Sequence, residues 1–207
     1  MAQEGPKTSP PPSPPPSPPP PLNPVFPLSL QEYAVTAQSY LVSKDKHFDG
    51  LATAALVFDP QNRTLLLRRA PHDSMPNRWE PPGGAVDGTD ETILHACARE
   101  LWEEARLVAR RIVRVVPEGG GFGAVYTNRT GRRVFCRFTF EVDVEDREAV
   151  RTDPSEHTDS VWATEEEVLA ERMADGRALP ITAPVTKKAL LEGFQARRDA
   201  KGSEDPA

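Results

Sequence analysis

Cysteine, excess positive charge and long apolar runs are all scarce in this chain, and each scarcity removes a class of function. Two cysteines, Cys97 and Cys136, are too few for a disulfide framework or a four-cysteine zinc site. Lys and Arg number 25 against 31 Asp and Glu, a formal charge of −6 with a pI near 5.3. A general grip on polymeric nucleic acid shows as a basic excess and a high pI, so none is expected here. The longest largely apolar run, residues 51–58, falls far short of the about 20 residues that cross a bilayer, so no membrane partner is expected. The first residues hold no apolar signal-like stretch, and the expected location is intracellular, in the cytoplasm.

Proline is abundant but confined. Of 23 prolines, 13 fall within the first 27 residues, a segment unable to supply the amide donors or apolar side chains of a core. Residues 1–27 are therefore read as a disordered proline-rich tail sampling polyproline II. An SH3- or WW-type partner is the weaker reading, because the register opened by Lys7 and Pro10 meets Ser13 where a second proline is wanted. Residues 199–207 are polar and read as a second tail. The folded unit is then expected over residues 28–198, long enough for one core.

Within it, Ser29 and Glu32 form a capping-box pattern, and Leu30, Tyr33, Ala37, Tyr40 and Leu41 recur at helical spacing, which predicts an N-terminal helix over 29–43. Strands are expected at 52–58, 64–68, 111–116, 122–127 and 132–144, with a hairpin around 128–131 and a short strand ending at Trp162. Helices are expected near 90–105, 164–172 and 184–197, the last with Pro184 in its first turn. Helices interleaved with strands and hairpins imply an α/β fold with a mixed sheet covered by helices.

The 90–105 helix carries the chemistry. On a wheel with Ile93 at zero, Cys97, Leu101, Leu94, Ala105 and Ala98 form the core face, while Glu103, Glu100 and Glu104 fall at about 280°, 340° and 20°. Three carboxylates at i, i+3 and i+4 repel one another, and more strongly beside an apolar core, where screening is weak. A hard dication relieves that repulsion, since Mg²⁺ takes carboxylate oxygens and bridges to phosphates; a solvated acidic face is the plain alternative.

The stretch from Gly84 to Leu107 closely resembles the Nudix box, Gly-x5-Glu-x7-Arg-Glu-U-x-Glu-Glu-x-Gly-U, where U is a bulky aliphatic. Arg99-Glu100-Leu101-Trp102-Glu103-Glu104 fills its centre, Glu91 stands eight residues before Arg99, and Leu107 closes it. Two departures stand out. Gly84 is one residue too far from Glu91, which places an insertion in the 87–90 turn, and Arg106 replaces the last glycine. The similarity extends to Leu65–Ala70, to Trp79–Gly84 and to Trp162, roughly residues 50–195 in all. It implies a Nudix-like α/β/α sandwich around a mixed β-sheet. It also implies hydrolysis of a diphosphate bond in a nucleoside diphosphate-linked small molecule, by water attack on phosphorus with Mg²⁺ or Mn²⁺.

On that resemblance, Glu100 and Glu104 are the expected principal metal ligands, with Glu103 a further ligand or a base acting through water. Gly83 or Gly84 is expected to add a carbonyl. Arg99 is expected to orient, pointing away from the carboxylate strip, and Glu91 to sit in the first helical turn in a structural role. Glu156 is the expected further acid from a later loop, with Asp153 behind it, and Arg69 is the expected substrate contact. His47, His72, His95 and His157 show no metal spacing, and Gly119–Gly123 lacks a phosphate-loop pattern. The alternative reading is a catalytically weak Nudix-fold module that binds a nucleotide or protein, suggested by Arg106 and the insertion.

Overall fold

The computed structural model describes residues 20, 22–118, 123–127 and 130–204. In chain order its elements are α1 (Ala37–Ser43), β1 (Gly50–Val57), β2 (Thr64–Arg69), β3 (Trp79–Glu80), α2 (Ile93–Ala105), β4 (Ala109–Val115), β5 (Ala124–Thr127), β6 (Val134–Val144), β7 (His157–Ala163), α3 (Glu165–Ala170) and α4 (Pro184–Glu204). Among the described residues the strands form two sheets. In one, β1 runs parallel to β6, whose other edge pairs antiparallel with β4 and β5; in the other, β2 lies antiparallel between β3 and β7.

The layering follows from strands that are apolar on both faces. Side chains alternate across a strand. Leu51, Ala55 and Val57 of β1 and Leu65 and Leu67 of β2 enter one core, while Leu56 and Leu66 enter the other. The first core is closed by Ile93, Leu94, Cys97 and Leu101 of α2 and by Tyr33 and Tyr40 packed against Phe138 and Phe140. The second is closed by Leu190 and Phe194 of α4 and Val168 of α3. Helices cover both faces of the strand layer, giving the α/β sandwich that the resemblance implies. The expected strands and the helices near 90–105 and 164–172 appear near their predicted places, but α4 continues through 199–204, a stretch read from its polarity as tail; residues 119–122, 128–129 and 205–207 lie outside the described residues.

The N-terminal helix differs from expectation. A 3-10 turn, Leu28–Tyr33, is followed by a break and then by α1. Ser29 does not cap; Thr36 does, its hydroxyl accepting from the Ser39 amide at 3.2 Å. The break at residues 34–36 leaves the Val35 carbonyl free to accept the first amide of α2, Ile93 N–H, at 3.0 Å. Val25, placed by the sequence within the tail, donates to the Arg110 carbonyl and accepts from Ile112 N–H at the edge of β4.

α2 starts at Ile93 rather than near Asp90. Thr92 is its N-cap, accepting from His95 N–H at 3.2 Å, so Glu91 lies outside the first turn, exposed and 3.7 Å from His95. At the other end Arg106 adopts the left-handed conformation, φ 58° and ψ 22°, that the missing glycine would favour. Its guanidinium lies 5.5 Å from the centre of the Trp102 ring.

Candidate active site

The α2 carboxylates are graded by depth. Glu104 is buried, Glu100 has 13% of its side chain exposed and Glu103 has 52%. Glu104 Oε2 accepts from Gly83 N–H at 2.7 Å. Burial raises the Glu104 carboxyl well above the usual carboxylate range; this hydrogen bond opposes the shift, while Glu80, Glu100 and Glu156 add to it. Burial likewise raises Glu100, with Arg99 opposing.

The loop before α2 is shaped to meet these acids. It runs beside β1, where Thr53 N–H donates to the Gly84 carbonyl, Ala55 N–H to Pro82 and Val86 N–H to Leu51. A Cβ at Gly83 would lie 2.2 Å from the Thr53 carbonyl oxygen, and one at Gly84 would lie 2.6–2.8 Å from the Glu100 carboxylate. Backbone therefore demands glycine at Gly83, whereas a side chain at Gly84 would displace the Glu100 carboxylate. Of the two carbonyls expected to serve as ligands, that of Gly84 already accepts from Thr53.

Arg99 turns toward the carboxylate strip, not away from it. Nη1 donates to Glu100 and Glu103, both at 2.8 Å; Nε donates to Asp90 at 2.8 Å and Nη2 to the Ala85 carbonyl at 2.9 Å. Its hydrogen bond to Asp90, despite opposing burial, holds the guanidinium above its ordinary value. Arg99 thus ties the 85–90 turn to the helix and compensates the two outer acids. Glu104 receives none of these bonds.

A second loop reaches the site at the C-terminal end of α2. Arg151 N–H donates to the Ala105 carbonyl at 2.9 Å and Asp153 N–H to the Glu104 backbone carbonyl at 3.4 Å, docking the loop on the helix end. Asp153 builds the turn: its carboxylate accepts from Ser155, and its carbonyl accepts from Glu156 and His157 N–H. Glu156 is thereby carried to Glu104. One ligand atom each from Glu104, Glu156 and His157 lies within 4.8 Å of the others. Glu100 and Glu103 lie outside that trio.

A cleft of about 710 Å³ opens beside the acids. Arg69, Glu80, Gly83, Gly84, Tyr126 and Arg137 are among the residues lining it. Arg69 is clamped by Asp73 and Glu80, so its charge is partly compensated. Arg137 is held by Thr186 at 3.2 Å and by buried Glu118 at 3.4 Å. Tyr126 stacks on Phe135 with ring centres 5.7 Å apart, an aromatic ledge at the cleft wall. A volume of this size and a mixed apolar and charged lining suit a nucleotide-sized molecule.

The structure brings Glu104 to Gly83 and to Glu156, sets Glu100 against Gly84 and places Arg69 with both glycines along the cleft, while Glu103 is half exposed and bonded to Arg99. Sequence reasoning missed Glu80, Arg137 and His157. The first two carry no local pattern. His157 shows no metal spacing with the other histidines, and its position next to Glu156 at a strand entrance is the available signal.

A family model for the NUDIX domain matches residues 49–183. Among curated proteins, the Homo sapiens m7GpppN-mRNA hydrolase NUDT17 is 43% identical over 58 residues, 28% of this chain and 17% of that protein, so the chain spans under a fifth of that relative's length. Among solved structures, the MutT protein from Methanosarcina mazei Go1 superposes with a TM-score of 0.53 at 24% identity, covering 72% of this chain and 94% of that one. The E. coli ORF135 protein superposes with a TM-score of 0.52 at 26% identity, covering 73% and 92%.

Proposed function

This chain belongs to the Nudix family, and from that premise we propose that it is a metal-dependent pyrophosphohydrolase. Its reaction is hydrolysis of a diphosphate bond in a nucleoside diphosphate-linked small molecule, with water attacking phosphorus. The observation that carries the reading is the convergence of Glu104, Glu156 and His157 within 4.8 Å beside a nucleotide-sized cleft. A buried carboxylate among other carboxylates is costly unless a cation compensates it. Arg99 serves Glu100 and Glu103, which leaves Glu104 as the acid in need of one. The donor set therefore fits a divalent cation, Mg²⁺ or Mn²⁺, held by Glu104 and Glu156, with Glu100 and Glu103 as further carboxylates at its edge. A cation bound there supplies charge that neutralises the diphosphate and acidifies the attacking water.

The chain's own residues do the rest. Gly83 and Gly84 let the loop backbone come close to the acids and to the substrate. Arg99 orients the outer carboxylates. Arg69 and Arg137 face the anionic part of the substrate, and Tyr126 offers a stacking surface to its base. The binding-module alternative leaned on Arg106 and the 87–90 insertion. Arg106 occupies the conformation of the glycine it replaces, and the insertion forms a closed turn held by Arg99, which supports the hydrolase reading over the binding module.

The test is product release from a panel of dinucleotides, capped dinucleotides, nucleotide sugars, nucleoside triphosphates and coenzyme A derivatives, with Mg²⁺, with Mn²⁺ and with EDTA. Turnover that EDTA abolishes supports the reading and names the substrate class. A folded protein that binds metal but releases no product across the panel favours the binding module.

A further inference from the structure

We propose that His157 is a nitrogen ligand of the cation, so that the site is a mixed nitrogen and oxygen centre selecting Mn²⁺-class ions over Mg²⁺. The inference rests on the reading that a cation is held beside Glu104. It goes beyond that reading in the donor type and in the ion selected.

Four observations support it. His157 is 2% exposed, yet its Nδ1 has no hydrogen-bond partner among the described residues. Its Nε2 lies 3.5 Å from Glu80 Oε1, outside the normal range for a hydrogen bond. A buried ring nitrogen left unpaired loses its hydration without replacement, so such a group calls for a partner. One of its ring nitrogens lies within 4.8 Å of carboxylate oxygens of both Glu104 and Glu156.

The fourth observation is how the ring is placed. The β2–β7 register runs Arg68 opposite Asp159 and then Arg69 opposite His157, slipping past Thr158. Bulges of this kind re-aim a side chain beside functional sites. The residue is also anchored, with its N–H donating to the Asp153 carbonyl at 2.7 Å. His157 is therefore held by a strand and a turn rather than by a mobile loop tip.

A cation between these groups would relieve the carboxylate repulsion, and His157, buried with no strong hydrogen bond at either ring nitrogen, brings one nitrogen within reach of it. Imidazole is a borderline donor favoured by transition metals, whereas Mg²⁺ takes oxygen donors and keeps its waters. The predicted preference follows from that chemistry. The other histidines offer no comparable site: His72 is exposed with Nε2 2.9 Å from the Ser155 carbonyl, and His95 Nδ1 lies 2.8 Å from the Thr92 hydroxyl.

The experiment uses the full chain loaded with Mn²⁺ and pulsed electron paramagnetic resonance. A directly bound histidine gives a ¹⁴N modulation that becomes a ¹⁵N pattern when the protein is labelled with ¹⁵N-histidine. We expect that signature in the wild type, its retention when His47, His72 and His95 are all changed to Gln, and its loss in His157→Gln. Displacement titrations should show the Mn²⁺ preference over Mg²⁺ falling about tenfold or more in His157→Gln. Mn²⁺ bound without histidine coupling would overturn the proposal and leave the carboxylate site standing. Loss of the coupling in the triple variant would place the nitrogen elsewhere and also overturn it. No Mn²⁺ binding at all would overturn both this inference and the cation reading beneath it. Should His157→Gln fail to fold, the triple variant decides alone.

Discussion

Replacing Glu104 with Gln should make the metal-free protein more stable while removing its response to metal. Glu104 is buried, with one donor, Gly83 N–H, and a Glu156 oxygen within 4.8 Å. Two unit charges at about 4.8 Å repel by about 3.5 kcal/mol at an effective dielectric of about 20. Glutamine keeps an acceptor for Gly83 and removes the charge, so after allowing for exposed Glu156 the gain should be about 1–3 kcal/mol. For a domain of this size that is a rise of roughly 2–12 °C in Tm.

The pH sense is fixed by the direction of the Glu104 shift. Its folded pKa is raised above the unfolded value, so the folded state binds the proton more tightly. The stability it contributes is present below the unfolded pKa and is lost as pH rises through the folded value. The gain from Glu104→Gln should therefore vanish in acid and grow toward neutrality. Saturating metal, at about 100 Kd, should stabilise the wild type by about 2.7 kcal/mol. The variant should gain far less, so the order of the two melting curves reverses between EDTA and metal. A variant that melts lower than wild type in EDTA at neutral pH, or that gains equally from metal, would refute this reasoning.

Gly83→Ala should cost more stability than Gly84→Ala, because its Cβ meets backbone at 2.2 Å while that of Gly84 meets the movable Glu100 carboxylate. Gly84→Ala should instead act on metal affinity; thermal melts and metal titrations on the two variants separate these outcomes. Arg106→Gly should change stability little, since relief of roughly 1 kcal/mol of left-handed strain is offset by the lost stacking on Trp102. Arg106→Val should be clearly destabilising in the same chemical-denaturation assay, because a β-branched residue tolerates that conformation least. Both thiols are buried and pushed up to about 12, chiefly by that burial, so a thiol reagent at pH 8 should titrate neither Cys97 nor Cys136 until the protein is unfolded.

Helical periodicity was informative about the site because burial on a helix is a matter of angle. The wheel ordered Glu104, Glu100 and Glu103 by distance from the core face, and their exposure follows that order. It misplaced Arg99, since an angle describes where a side chain leaves the helix, not where a long flexible one ends. The same periodicity at 28–43 concealed a break. The apolar spacing is compatible with a 3-10 turn followed by α1, and the reason for the interruption, the Val35 carbonyl meeting α2, is a long-range bond. Glu156, expected from a loop before a later strand on the family resemblance, does lie beside Glu104. Glu80 and Arg137 reach the cleft through sheet pairing, which leaves no mark in the local sequence, and a register slip places His157 beside Glu104 and Glu156.

The central claim is that a cation held at Glu104 drives diphosphate hydrolysis. Its most direct test is turnover by wild type and Glu104→Gln, side by side, on the best substrate of the panel with Mg²⁺ or Mn²⁺, each protein shown to be folded by circular dichroism. The account predicts a loss of at least about 10³-fold in kcat, the scale of about 4 kcal/mol of lost transition-state stabilisation. Wild-type-like turnover in the folded variant, or wild-type activity indifferent to EDTA, would contradict it.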